Sequence, residues 1–241
     1  MQRFTELRAH SAFSFLRAGS LPEDLIEQAA KLGYSALALG DRDGLYGAPR
    51  FHQAAKKAGM KAIIGAELTL RPPPNPLLGK EGELVSSLAP ISDLPSLDCS
   101  LYLLAATRQG YQNLCKVITQ TKLRSPKGES FATWEDLEGH TDGLICLAGG
   151  MEGPLAQVVT RLGGYAVTGD AKEAFLTANR LPEPPLTASR LTANRLNLLD
   201  RLRLLFPSRL YIDLQRHLDP GEERLNRVLL DVARHCRIPI V

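Results

Sequence analysis

The amino-acid sequence predicts an α/β protein built on a parallel sheet, and three observations carry that reading. Ala36–Leu39, closed in by Gly33 and Gly40, is a short apolar run bounded by turn residues, the pattern of a strand buried on both faces. Three strand–loop–helix units of roughly 25–30 residues follow one another, and such a succession implies right-handed parallel crossovers. Polar residues suited to chemistry stand where strand-like runs end: Arg8-Ala9-His10, then Asp41-Arg42-Asp43, then Glu67. Loops at the strand C-termini carry the chemistry of parallel α/β folds, because the helices return the chain on the other side.

The elements follow in order. Phe4–Leu7 is a short strand that ends at Arg8-Ala9-His10-Ser11. A helix starts at Ser20-Leu21-Pro22-Glu23: Ser20 or Leu21 caps it, Pro22 takes the first turn, and Glu23 and Asp24 favour its positive end. Leu25, Ile26, Ala29, Ala30 and Leu32 form its apolar face, and Gly33 closes it. After the Ala36–Leu39 strand the chain turns at Gly40 and Gly44. Ala48–Ala58 is a second helix, ended by Gly59, and Lys61–Leu70 is a third strand with Glu67 near its far end. Arg71–Asp98, with its PPPNP run and no sustained period, reads as a surface excursion.

Order resumes with the strand Ser100–Ala106 and the helix Gly110–Lys122, whose Leu114, Val117 and Ile118 point inward. Gly143–Ala148 is another buried strand, followed by a helix from Gly153 to about Leu162. Three copies of a six-residue pattern, LTANRL, LTASRL and LTANRL, occupy 176–196; units so short make a repeat-type insertion and no solenoid. The helix Thr192–Leu205, the strand Arg209–Leu214, the helix Gly221–Cys236 and the start of a further strand at Ile238–Val241 complete the sequence.

The totals exclude several classes. With 44% hydrophobic and 23% charged residues in 241, the composition is that of a soluble globular protein. A net charge of +3 is too small to argue by itself for nucleic acid. No stretch approaches the roughly 20 apolar residues of a membrane span, and the N-terminus MQRFTELRAH has no signal-peptide core, so a cytoplasmic location without a membrane partner is expected. Cys99, Cys115, Cys146 and Cys236 stand apart with no C-x-x-C, which favours reduced buried thiols over a zinc knuckle or a disulfide frame.

Five ordered blocks carry a resemblance: FTELRAHSAFSFLRAGS; ALALGDRDGLYGAPRFHQAAKKAGMKAIIGAELTL; LYLLAATRQGYQNLCKVIT; GLICLAGGMEGPLA; and RLYIDLQRHLDPGEERLNRVLLDVA. Together the chain resembles the N-terminal PHP (polymerase and histidinol phosphatase) domain of bacterial C-family DNA polymerase III alpha subunits, nearest to their error-prone branch, which serves replication and damage-tolerant repair synthesis. The likeness implies a distorted β/α barrel lacking its last strand-loop, one domain over 1–241, with insertions at about 71–98 and about 163–195. It also implies a polymerase core in the same parent chain, with DNA reached through that parent, and a divalent metal (Mn, Zn or Mg) as cofactor where the site is active. Active members of the family hydrolyse phosphoesters, and in some polymerases the domain is a 3′–5′ proofreading exonuclease. The polymerase region would lie past Val241, as would the family's last Asp-x-His pair.

The resemblance also implies where metal ligands should stand, and this sequence departs from it. The family's first His-x-His reads Arg8 and His10. An acid common before the Gly of that block is Arg17. The Asp-His after the second strand reads Asp41 and Arg42, the His opening the fourth strand matches Ser100, and the Cys of the Gly-Cys turn matches Gly150. His10 and Glu67 remain as ligand-type survivors, with Asp41 standing behind them. Arginine stays protonated and does not coordinate metal. Arg8, Arg17 and Arg42 are therefore expected to pair with Glu67, Asp41 and Asp43 as structural staples in a degenerate module that scaffolds a polymerase. The alternatives are an anion pocket for phosphate or DNA built on the three arginines, or a residual metal-dependent phosphoesterase or exonuclease.

The other polar and aromatic candidates read as structure. His52 and His235 are expected on helix surfaces, His140 in solvent and His217 in a loop; Trp134 and Phe131 read as core anchors, and Arg201, Arg203 and Arg209 as a solvated basic stretch.

Overall fold

The computed structural model describes residues 4–71, 99–156, 198–217 and 220–241. The excursion after Arg71, the insertion at about 163–195 and the six-residue repeats lie outside the described residues. The chain divides into two compact units: Met1–Leu70, Ser100–Leu147 and Leu205–Leu210 form the first, and Arg71–Cys99, Ala148–Leu204 and Tyr211–Val241 the second.

Five strands form one mixed sheet in the order β1 (Ala36–Arg42), β2 (Lys61–Leu70), β3 (Cys99–Ala105), β4 (Leu144–Leu147), β5 (Leu210–Tyr211). In the first unit β1 and β2 run parallel from Ala36 opposite Lys61 to Arg42 opposite Glu67. The crossover between them is α2 (Ala48–Lys57), and α1 (Pro22–Lys31) precedes β1. These helices form where the sequence places them, because Pro22 starts α1 and Gly33, at φ +77°, supplies the left-handed residue that ends it. Ile26 and Ala29 of α1 and Phe51 and Ala55 of α2 pack with Leu37 and Leu39 of β1 into one apolar cluster. Ala30 and Leu32 do not join it; both are exposed, since α1 buries a stripe narrower than the apolar run in its sequence.

Two departures from a regular parallel barrel are plain. β3 and β4 pair antiparallel, Tyr102 opposite Leu147 and Ala105 opposite Leu144, and the described strands do not close into a ring. Phe4–Leu7 forms no strand: residues 6–9 lie irregularly along β1, tied by the Ala38 N–H to the Glu6 carbonyl and the Gly40 N–H to the Ala9 carbonyl, both at 3.0 Å. α3 (Arg108–Arg124) is capped by Thr107, whose hydroxyl accepts from the Gly110 N–H at 3.1 Å. It buries Leu114 and Val117 and leaves Ile118 half-buried. The short α4 (Trp134–Leu137) anchors Trp134 in the interior, as the sequence suggests.

In the second unit, residues 198–204 are helical and α5 (Pro220–Cys236) is the main described helix. The end of the chain lies parallel to 212–214, with Ile212 bridged to Ile240. Cys146 alone of the four cysteines is fully buried; the other three are half-buried, and all four are free thiols. No described helix is long and apolar enough to cross a membrane.

Candidate functional site: an arginine-rich strand-end cluster

The ends of β1 and β2 and the segment that precedes α1 bring the sequence-selected residues together in the first unit. Alternate residues of a strand share a face, so Glu67 and Thr69 of β2 lie side by side. Residues 6–9 follow β1, which delivers Arg8, His10 and Ser11 to the same end. β1 is longer than the apolar run: Asp41 and Arg42 are its last residues, and the chain turns at Asp43, which holds a left-handed φ of 49°.

Glu67, 3% exposed, is the centre. Its Oε2 accepts from His10 Nε2 at 2.7 Å, the Ser100 side chain hydrogen-bonds to it as well, and Arg17 Nη1 stands 4.0 Å from Oε1. Burial pushes this carboxyl up, but the His10 and Ser100 hydrogen bonds and the charges of His10 and Arg17 outweigh it and hold the group down at about 2.

Asp41 is 2% exposed and is not paired with an arginine, as its sequence neighbours suggest it would be. Its carboxyl accepts from the Ser11 N–H at 2.7 Å, the Ser11 hydroxyl at 2.8 Å and the Ser14 hydroxyl at 2.7 Å. Ser14 Oγ in turn accepts from the Arg42 N–H at 3.1 Å, closing a latch between the 11–20 loop and the end of β1. Gly47 is required beside it, because a Cβ there would fall 2.7 Å from Asp41 Oδ2. An amide at position 41 cannot accept from all three donors, so Asp41→Asn is expected to cost about 2 kcal/mol of folding free energy; urea unfolding monitored by circular dichroism reads it.

The arginines take three different places. Arg42 Nε donates to Thr69 Oγ1 at 3.2 Å and lies 3.8 Å from Asp43 Oδ2. Thr69 donates through both its N–H and its hydroxyl to Asp43, each at 2.7 Å. Burial pushes the Asp43 carboxyl up in spite of these bonds and of the Arg42 and Lys122 charges. Arg17 faces Glu67. Arg8 stacks its guanidinium 4.7 Å over the ring of Tyr102, and its own N–H is taken by Glu6 Oε1 at 2.8 Å. The expected staples thus hold for Arg17 with Glu67 and Arg42 with Asp43, while Asp41 is held by serines and Arg8 by an aromatic face.

Sequence reasoning does not single out Tyr102, Ser11, Ser14 or Thr69. Tyr102 is fully buried in β3 with its ring 5.9 Å edge-on from that of His10, and its hydroxyl, pushed up by burial, has no hydrogen-bond partner among the described residues. Its phenol fits only because residue 40 is glycine. Of the other histidines, His52 and His235 are on the surface as expected. His217 is an exposed loop residue bound through Nδ1 to Glu222 Oε1 at 2.6 Å. His140 is half-buried, its Nδ1 shielded and without a partner among the described residues, not solvated, because it packs where the chain turns into β4. Of the basic stretch, Arg203 is exposed and donates to the Cys236 carbonyl.

The chain matches the PHP domain family over residues 6–217, and it belongs to that family. It is similar to the error-prone DNA polymerases of Symbiobacterium thermophilum (32% identical, covering 99% of this chain and 18% of the relative) and Mycobacterium bovis (32%, 99% and 18%). A shorter stretch, 49% of this chain, is 43% identical to 9% of the error-prone DNA polymerase of Anaeromyxobacter sp. strain K. The resemblance carried by the five sequence blocks is thereby confirmed, and the chain spans 18% of the length of the Symbiobacterium and Mycobacterium relatives. Among solved structures, an amidohydrolase from Chromobacterium violaceum superposes at a TM-score of 0.38 and 14% identity, covering 98% of this chain and 84% of that one, a likeness too slight to argue from.

The family implies a metal, and the residues at these strand ends do not suit one. Among the described residues no group of three His, Cys, Asp and Glu is placed to hold an ion. His10 and Glu67 are joined to each other, and a nitrogen that donates its proton to a carboxylate offers no lone pair to a cation. Arg17 stands within 4.0 Å of the same carboxylate, and a fixed guanidinium repels a divalent ion at that range.

Proposed function

We propose that this chain is a degenerate PHP module, a single domain over 1–241, that scaffolds the polymerase body of an error-prone DNA polymerase and hydrolyses nothing itself. The observation that carries the reading is the His10–Glu67 hydrogen bond at 2.7 Å with Arg17 behind it. The two surviving ligand-type side chains satisfy one another and an arginine's charge, so they act as a strut. Arg42 and Arg8, which stand where the family has histidines, tie the same loops to β2 and β3 by hydrogen bonding and stacking, which is work a scaffold needs.

Isothermal titration with Mn²⁺ and Zn²⁺, run alongside hydrolysis of a chromogenic phosphodiester, tests this. The expected result is no stoichiometric tight binding and no metal-dependent turnover. Tight binding with turnover that is lost in Glu67→Gln overturns the scaffold reading in favour of a metal phosphoesterase.

A further inference from the structure

Two aspartates of the sequence stand directly before a glycine, Asp43-Gly44 and Asp142-Gly143, and the structure holds them in opposite ways. Glycine has no Cβ, so its backbone nitrogen is open to the carboxyl group of the residue before it. In the first pair the carboxyl is locked. Both Asp43 oxygens accept from Thr69, one from its N–H and one from its hydroxyl at 2.7 Å each, and the side chain is 15% exposed. In the second pair the carboxyl is loose. The Asp142 side chain is 84% exposed and meets Arg209 Nη2 at 3.4 Å, a surface pair that restrains it little. Gly143, at φ +73°, sits in the turn that the Leu144 N–H closes onto the Thr141 carbonyl at 3.0 Å. Among the described residues the Gly143 N–H makes no hydrogen bond.

We propose that Asp142-Gly143 is a site of spontaneous covalent modification, at which Asp142 isomerises to isoaspartate while Asp43 is protected. The Gly143 nitrogen attacks the Asp142 side-chain carboxyl carbon. A C–N bond forms, and one carboxyl oxygen leaves as water with the amide proton and the carboxyl proton. Water then opens the resulting five-membered succinimide. Addition at the side-chain carbonyl returns aspartate, whereas addition at the main-chain carbonyl leaves the backbone running through the side-chain carbons and frees the α-carboxylate. One water leaves and one enters, so the step needs no oxidant, reductant or other co-reactant. Such an intramolecular attack depends on the two atoms meeting in the right geometry, which a rotating carboxyl reaches and a doubly clamped one does not. The position matters because this corner seats α3 on β4. Asn113 Nδ2 donates to the Asp142 carbonyl and the Ala106 N–H to the Gly143 carbonyl, both at 2.9 Å. Gly110 of α3 lies so close that a Cβ on it would fall 2.0 Å from the Gly143 carbonyl oxygen. An extra main-chain carbon at 142 moves both carbonyls off these partners. The proposal goes beyond the scaffold reading and does not depend on it.

Storage of the purified protein for several weeks at physiological temperature and pH tests it, followed by peptide mapping with fragmentation that tells isoaspartyl from aspartyl main chain. Isoaspartate is expected at position 142 at least about tenfold faster than at 43, the rate ratio that one hydrogen bond's worth of restraint supplies. Asp142→Glu cannot close a five-membered ring, and it is expected to stay unmodified and to keep its thermal midpoint through storage. Asp142→Asn is expected to convert faster than the parent, with the mass gain of deamidation. The isoaspartyl fraction of the parent, separated by chromatography, is expected to unfold at a lower temperature than fresh protein. Equal rates at 43 and 142 overturn the proposal. So does the absence of conversion at 142 over a period in which a free peptide spanning residues 138–147 converts. A modified fraction that keeps the fresh protein's midpoint overturns the effect on the seat of α3.

Discussion

Replacing Gly40 with alanine is expected to destabilise the protein by about 3 kcal/mol, the upper range for overpacking a dense interior. A Cβ at this position would lie 2.1 Å from the Tyr102 hydroxyl oxygen and 2.2 Å from Cζ. Tyr102 cannot swing aside, because its ring is fully buried between Arg8 and His10 in the middle of β3. Denaturant unfolding measures the loss, and it is expected to shrink when Tyr102 is also changed to leucine, since a pairwise clash disappears with either partner. An unchanged midpoint in Gly40→Ala would mean that the phenol does not sit over residue 40.

Acid is expected to remove a similar amount through Glu67. Its carboxyl falls from 4.5 to about 2 on folding, a depression worth about 3 kcal/mol. A group depressed in the folded state binds fewer protons there than in the unfolded chain. Its stabilisation is therefore complete above about pH 4.5 and is lost as the pH falls toward 2. Glu67→Gln lacks this term at every pH. Its unfolding free energy at pH 7 is expected to be about 2–3 kcal/mol below that of the parent, with the two curves converging as the solution is acidified. Parallel pH-stability curves for parent and variant would rule out the His10–Glu67 strut.

Much of the fold is legible in the sequence, and the reasons are local. β2 has the bounds its apolar pattern gives, and α1 and α2 each carry a proline in their first turn and end beside glycines, where backbone sterics leave little choice. Gly40 misleads for the same local reason. Glycine reads as a turn, yet here it continues β1 and is small for the sake of a residue sixty-two positions away in β3. The antiparallel pairing of β3 with β4 is likewise invisible, because an apolar run buried on both faces does not encode the direction of its partner.

The cluster itself is half legible. His10, Glu67 and the three arginines stand out as polar residues that follow strand-like runs. Tyr102, inside the apolar run LYLLA, reads as core, and only its unpartnered hydroxyl marks it as different. The serine partners of Asp41 are not legible, because charge suggests an arginine next door, while burial at 2% exposure favours short neutral donors that cost less to desolvate.

The latch between Asp41, Ser11 and Ser14 has a consequence for motion. The stretch that carries Arg17 is pinned at both serines to a single carboxyl group, so it cannot swing outward without giving up three bonds together. Those bonds involve no positively charged donor, and dissolved salt does little to loosen them. A visitor to this end of the sheet therefore meets a rigid frame, to be matched as it stands rather than moulded on arrival.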